Sequence, residues 1–413
     1  MIVRFYRANE SLVVLSFTIM LIMMGFGMTT PITPLFAREL GASVTLVGFV
    51  ISAYGLARFS ANMPVGIGAE RFGRKPIFVA GAICTALAAL VMAVSPNFIV
   101  FLIGRVLAGA AAPMLLLTGQ IIVADVSQVA NRGKNMAVYQ GFFVLGGDIG
   151  PLPGGLIADQ FGARWTFVGY AVLAFAVAGL ALWRLKETRP ERPSGEAPAR
   201  GGHGRARSAR TSSLDYGMRS LPFILIVSLG FAFFFTRTGI VQNLMPLFGV
   251  ETLGLTTTQI GLAFTLGRLP GFLGLFAVGV LADRYGRKVL LVPGAMLSAA
   301  ALVVWSGADG FALFLAGSIM WGAATSAAGS IPVIYVADIV RPEESARALS
   351  VLRTVSDFGY FVGPVLLGAI ASVSDYQTAI LVAAVVMVIP VLPFALLAPE
   401  PVKVRREEEA RSA

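Results

Sequence analysis

The stretch GIGAERFGRK at 66–75 returns as GVLADRYGRK at 279–288, a shift of 213 positions in a chain of 413 residues. The register holds without a gap well beyond that turn. Asp125 falls on Asp338, Lys134 on Arg347, and Gly150 and Pro151 on Gly363 and Pro364. Leu40, Gly41 and Gly48 fall on Leu253, Gly254 and Gly261. Each copy of the basic turn sits between two long apolar stretches. One such turn per half, set between membrane-length segments, predicts a duplicated membrane bundle.

Composition agrees. The chain is 56% hydrophobic and 13% charged, too few polar residues to coat a soluble protein of this size. With about 20 apolar residues needed per crossing, twelve spans are expected: 12–36, 44–66, 77–95, 98–123, 136–158, 165–185, 221–247, 257–281, 289–307, 310–336, 346–371 and 377–398. These runs are too long for barrel strands and show no sustained alternation. The expected fold is therefore an all-α membrane protein of twelve transmembrane helices in two pseudo-symmetric six-helix bundles, 1–187 and 220–400. A linker (188–219) rich in Pro, Gly and charge joins them, and a tail (401–413) follows. The first apolar run has no small-residue cleavage site and has a counterpart in the second half, so it reads as a span and not as a removed signal.

Lys and Arg gather in alternate connections: Arg71, Arg74, Lys75; Arg132, Lys134; the linker; Arg284, Arg287, Lys288; Arg341, Arg347. By the positive-inside rule this set faces the cytoplasm, and an even span count puts both termini there. The net charge of +10 thus reads as topology and not as a nucleic-acid surface. Ala- and Arg-rich usage points to a bacterial inner membrane. Cys84 and His203 are the only residues of their types, so no disulfide, histidine metal site or histidine relay is expected. No HExxH, GxSxG or Walker sequence is present, which argues against an enzyme and against any cofactor or metal.

The basic turns, the span count and the central linker resemble the major facilitator superfamily over nearly the whole length. The family pattern GxxxDRxGRK is complete at Gly279, Asp283, Arg284, Gly286, Arg287 and Lys288. The first copy carries Gly66, Glu70, Arg71, Gly73, Arg74 and Lys75, with Glu in place of Asp. Gly150, Pro151, Gly154 and Gly155, with Gly146 upstream, look like the antiporter motif of the twelve-span drug:proton exchangers. That motif's earlier glycine is Ala137 here, and Asp148 lies inside it. Arg105, Gly109 and Ala112 resemble the fourth-span arginine motif. The resemblance implies a monomeric secondary transporter of small molecules, with protons as coupling ion and efflux as direction. Uptake or facilitated transport of a small organic anion is the alternative.

The residues suggest parts for such a machine. Gly66 and Gly279 are expected at close helix approaches, and Gly73 and Gly286 at positive φ. The acids at 70 and 283 are expected near a helix start. Arg74 is expected to pair with Asp125 and Arg287 with Asp338, as latches between the halves. A fifth span bent at Pro151 and Pro153 is expected to pack on the eighth. Charges within spans cost roughly 2.5–3.5 kcal/mol each at the bilayer centre, so they should face inward. At 1.5 Å per residue, Asp148 and Arg268 lie at the same depth, about 20 Å from the cytoplasmic end. The resemblance implies that spans 5 and 8, and spans 2 and 11, are neighbours across the halves, so two cross-half clusters are expected: Asp148 with Arg268, and Asp357 with Arg58 and Arg353. Asp148 is the first candidate proton carrier and Asp357 the second. Arg105, Gln120, Gln140, Phe143, Arg237, Gln242, Asn243, Trp321 and Tyr360 are the candidate cavity contacts. The excess of embedded Arg favours an anionic, zwitterionic or acceptor-rich cargo.

Overall fold

The computed structural model describes residues 10–128, 131–188, 217–328, 331–341 and 344–401. The expected linker and tail lie almost wholly outside them, as does His203. The helices are α1 Glu10–Glu39, α2 Val44–Phe72, α3 Arg74–Ala93, α4 Phe98–Val126, α5 Arg132–Phe161 and α6 Ala163–Arg184 in the first half. The second half holds α7 Leu221–Thr252, α8 Thr257–Tyr285, α9 Lys288–Ser306, α10 (Phe311–Ala328 with Ile331–Ile339), α11 Ser345–Val373 and α12 Tyr376–Leu397. Ten of these are long and apolar enough to cross a membrane among the described residues. The other two, α8 and α10, include residues whose side chains lie outside that set, and they fall on the two remaining expected spans.

The packing repeats as the sequence does. In the first half α1 packs on α5 and α6, α4 on α2 and α3, and α3 on α6. In the second half α7 packs on α11 and α12, α10 on α8 and α9, and α9 on α12. The halves meet along two seams, α2 with α11 and α5 with α8. Even the caps are duplicated: Ser43 accepts from Leu46 N at the start of α2, and Thr256, its repeat partner, accepts from Gln259 N at the start of α8. Large apolar side chains such as Trp183, Val373 and Leu396 lie exposed on the outside, the side that faces lipid.

α5 is interrupted at Gly150, between Arg132–Ile149 and Pro151–Phe161. Three of the motif glycines pack on α1 and not on α8 as expected. A Cβ at Gly146, Gly150 or Gly154 would lie 2.2, 2.3 or 2.2 Å from the carbonyl oxygens of Met20, Met24 and Met28. A four-residue glycine spacing matches one helix face, so the two backbones touch along three turns. Gly155 is the motif glycine on α8, where its Cβ would meet the Thr257 carbonyl oxygen at 2.2 Å. At Gly66 the nearest neighbour would be Leu117 at 3.8 Å, so the close approach expected there is absent. Gly279 is helical, and its surroundings, like the Asp283 side chain, lie outside the described residues.

Candidate functional site

Proline explains much of how the seams are wired. Pro151 has no N–H, so the Gly147 carbonyl four residues earlier lacks its helical donor. Arg268 Nη1 of α8 supplies one at 3.1 Å. At the repeat-equivalent place, Pro364 frees the Tyr360 carbonyl, and Thr238 Oγ1 of α7 lies 3.1 Å from it, its one proton shared with the Phe234 carbonyl of its own helix at 2.8 Å. Each kink is thereby satisfied from a neighbouring helix. The same Arg268 guanidinium lies 3.5 Å from Asp148 Oδ1. One arginine of the second half thus holds both a backbone kink and a carboxylate of the first.

Around this pair is a cavity of about 440 Å³ between the halves. It is lined by Gln140, Phe143, Arg237, Gln242 and Trp321, which are among the expected cavity contacts, by Asp148 and Arg268 themselves, and by Phe233 and Phe272. A second cavity of about 210 Å³ shares Phe143, Arg237 and Gln242 with it and adds Tyr54, Arg58, Thr85 and Tyr360. Arg237 opens a π-helical stretch, Arg237–Leu244, within α7. Such widened turns concentrate at functional sites. Arg237 is exposed although it sits mid-span, because its surface faces this cavity.

The second expected cluster is only partly assembled. Arg58, Arg353 and Asp357 line one cavity of about 410 Å³, but no ion pair joins them among the described residues. The Arg58 guanidinium instead lies over the Tyr360 ring, 5.4 Å from its centroid. Arg105 is buried, 4.7 Å from the Tyr54 ring centroid, with Nε unbonded; it stands behind the cavity wall. Gln120 is exposed on α4 and lines none of these cavities. Asn243 is buried and donates to the Pro364 carbonyl at 3.1 Å, so it holds α7 to α11 and does not face the cavity.

The repeat also shows where the halves diverged. Asp148 and Arg268 correspond to Phe361 and Gly55 in the other seam, and Asp357 and Arg58 correspond to Val144 and Gly271. Each seam carries its charge at positions where the other is apolar or glycine.

At the basic end, Arg74 Nε lies 3.2 Å from Asp125 Oδ2 and Arg287 Nε 3.0 Å from Asp338 Oδ2. Both pairs are within one half, which corrects the expectation of latches between halves. Gly73 and Gly286 have φ of 101° and 108°. Glu70 is exposed and caps nothing; the acids at the helix starts are Glu187 and Glu400. Glu187 accepts from Arg74 N and Lys75 N at 2.9 and 3.2 Å, and Glu400 from Arg287 N and Lys288 N at 3.0 and 2.7 Å. A carboxylate on free N–H groups at a helix start is stabilised by hydrogen bonds and by the helix dipole. Sequence reasoning missed both, although they match each other at the repeat offset.

The seams are stitched from mid-helix to the opposite end. Backbone meets glycine at Gly48 with Pro364, Gly261 with Pro151 and Gly368 with Val44. Asp159 accepts from Thr257 N and Thr258 N at 3.0 and 2.8 Å, and Thr45 bonds Ser372 at 3.1 Å. Arg38 Nε lies 2.8 Å from Glu251 Oε1, and Tyr376 donates to the same carboxylate. Toward the basic end α2 and α11 splay around a cavity of about 330 Å³, and Met63 is 76% exposed. Among the described residues, these contacts between the halves gather from mid-helix to the end away from the basic turns.

Comparison with known proteins agrees with this architecture. The quinolone resistance protein NorA of Staphylococcus aureus is 24% identical over 378 residues, covering 88% of this chain and 91% of that one. Multidrug resistance protein 1 of Bacillus subtilis is 26% identical over 283 residues, 68% of each. Among solved structures, an inward-facing, occupied bacterial homolog of the human lysosomal transporter Spinster superposes with a TM-score of 0.74 at 17% identity, covering 95% of this chain and 97% of that one. The family model described as Major Facilitator Superfamily matches residues 15–267 and again 227–413. With the duplicated fold and two overlapping matches that span nearly its full length, this chain belongs to the major facilitator superfamily of multi-pass membrane transporters.

Proposed function

We propose that this secondary transporter exports a small organic, drug-like molecule in exchange for protons. The observation that carries the reading is the Asp148–Arg268 pair, which joins the halves inside the cavity and inside an antiporter-like motif. Protonating Asp148 removes the charge that holds Arg268. The α5–α8 seam then loses an ionic contact and keeps only its hydrogen bonds, which biases the balance between two conformations. In this reading the basic end faces the cytoplasm, both termini lie there, and the chain works as a monomer in the cell membrane. Cargo enters from the inside, and the proton is taken up when the opposite end opens. One charge moving through ~150 mV carries about 3.5 kcal/mol, which sustains a cargo gradient of a few hundred-fold. The similarity to NorA and to the Bacillus multidrug protein supports the direction of transport.

Asp148→Asn in proteoliposomes tests the reading. Uphill export under an imposed pH gradient is expected to vanish while cargo counterflow persists. Export that continues undiminished would remove Asp148 from the mechanism. The arginines of the cavity favour a second reading, uptake of an organic anion with the proton. In that case the same gradient drives cargo in the direction of proton flow, not against it.

A further inference from the structure

We propose that the 210 Å³ cavity is an anion subsite, built to take the carboxylate of an aromatic cargo whose ring lies in the adjoining 440 Å³ cavity. The inference deepens the transporter reading and rests on this vestibule being where cargo binds.

The smaller cavity is lined by Arg58 and Arg237 and by no carboxylate, and Arg105 stands behind its Tyr54 wall. Asp148 lines the larger cavity, where Arg268 already engages it. Neither Arg58 nor Arg237 has an ion pair or a hydrogen bond to its guanidinium among the described residues; Arg58 lies over the Tyr360 ring. Two guanidinium groups sharing a small, membrane-embedded space repel each other and are poorly solvated. Asp357 faces Arg58, and Asp148 faces Arg237, from the adjoining cavities without an ion pair to either, but no acid lines the smaller cavity itself, so a mobile anion is the natural counter-charge there.

The other polar groups are donors too. Gln242 Oε1 accepts from the Tyr360 hydroxyl at 3.5 Å, which leaves the Gln242 amide N–H groups for the cavity. The Thr85 hydroxyl lines the same space, is 2% exposed and has no partner. A carboxylate is a planar acceptor that matches a guanidinium fork and has further lone pairs for an amide and a hydroxyl.

The two cavities share Phe143, Arg237 and Gln242, so they adjoin. Beyond that junction the Phe233 and Trp321 rings are stacked, with centroids 6.0 Å apart and planes at 2°. Flat aromatic walls next to a cluster of cations define a molecule with a ring at one end and an acid at the other.

Equilibrium dialysis of the full chain in lipid nanodiscs tests this with three matched probes: 2-naphthoate, its methyl ester and 2-naphthylmethylammonium. Naphthoate is expected to bind about tenfold tighter than either analogue, the worth of one charge-assisted hydrogen bond. Arg58→Gln and Arg237→Gln should each cut that preference to threefold or less, and chloride should displace the probe only weakly. The proposal is overturned if naphthoate fails to bind, if the ester or the ammonium binds as well, or if the preference survives both substitutions. Full displacement by chloride overturns it as well, in favour of an inorganic-anion site. The wild-type comparison of probes needs no variant to fold. Proton-driven flux of the same probes is scored separately. Binding preference without uphill export leaves the subsite and removes the exporter reading, and uphill export of the ammonium alone does the reverse.

Discussion

A single methyl group placed in either seam should push the molecule toward its other conformation. A Cβ added at Gly48 lies 2.2 Å from the Pro364 carbonyl oxygen, and one added at Gly261 lies 2.3 Å from that of Pro151. Ordinary contact begins at 3.4 Å, so the helices must part by more than 1 Å. Both obstacles are backbone atoms, which cannot rotate away. Overpacking of this kind costs about 1–3 kcal/mol. The seam separates when the opposite end opens, so the penalty falls on the closed arrangement alone and shifts the equilibrium by ~5- to 150-fold. The assay is labelling of a cavity cysteine, Gln242→Cys in a Cys84→Ala background, by an impermeant maleimide applied from the side opposite the basic loops. Gly48→Ala and Gly261→Ala should each raise the labelling rate by a factor in that range, and by similar amounts. Gly141→Ala, where an added Cβ meets nothing within 4 Å, should leave it unchanged. Labelling at the parent rate in both seam variants, in protein that remains folded and monodisperse, would refute the argument.

Three further outcomes follow from the geometry. Charge reversal at Arg38 or Glu251 alone should raise the same labelling rate by up to about fivefold, since exposed pairs contribute at most ~1 kcal/mol, and the double reversal should restore the parent rate. Asp338→Asn should lower thermal stability more than Asp125→Asn, because the Arg287–Asp338 side chains are 9% and 12% exposed against 13% and 23% for Arg74–Asp125 and breaking a more buried pair costs more; equal losses would contradict this. Thr238→Val should cost about 0.5–1.5 kcal/mol in denaturant unfolding, because it strips a donor that the carbonyl exposed by Pro364 shares with the Phe234 carbonyl, whereas Thr→Val at a hydroxyl bonded only within its own helix should cost less.

The duplication made the architecture legible. Once Gly66 falls on Gly279, paired bundles and equivalent seams follow, and equal depth along spans 5 and 8, taken with the adjacency of those spans that the resemblance implies, brought Asp148 to Arg268. What a repeat offset gives is equivalence between copies, not contact. Arg74 and Asp125 both fall within 1–187, and Arg287 and Asp338 within 220–400, so residue number alone puts each tie inside one half. Glu187 and Glu400 were visible as a matched pair, but each stands more than a hundred residues from the backbone it caps. The glycines of the α5 motif announce close approach without naming the partner. Arg58 chose an aromatic face over Asp357, a preference set by side-chain geometry that spacing does not encode. The π-helical stretch of α7 has no signature in apolar periodicity.

The Arg38–Glu251 bond joins two positions that are the same position in the two copies. Residues so related sit beside the pseudo-twofold axis. In a true dimer of identical six-helix chains that site would meet itself, arginine against arginine or glutamate against glutamate, and repel. Opposite signs there require the two copies to be distinguishable, and covalent fusion makes them so. This ionic tie on that face is thus available to a tandem chain and not to a pair of identical subunits.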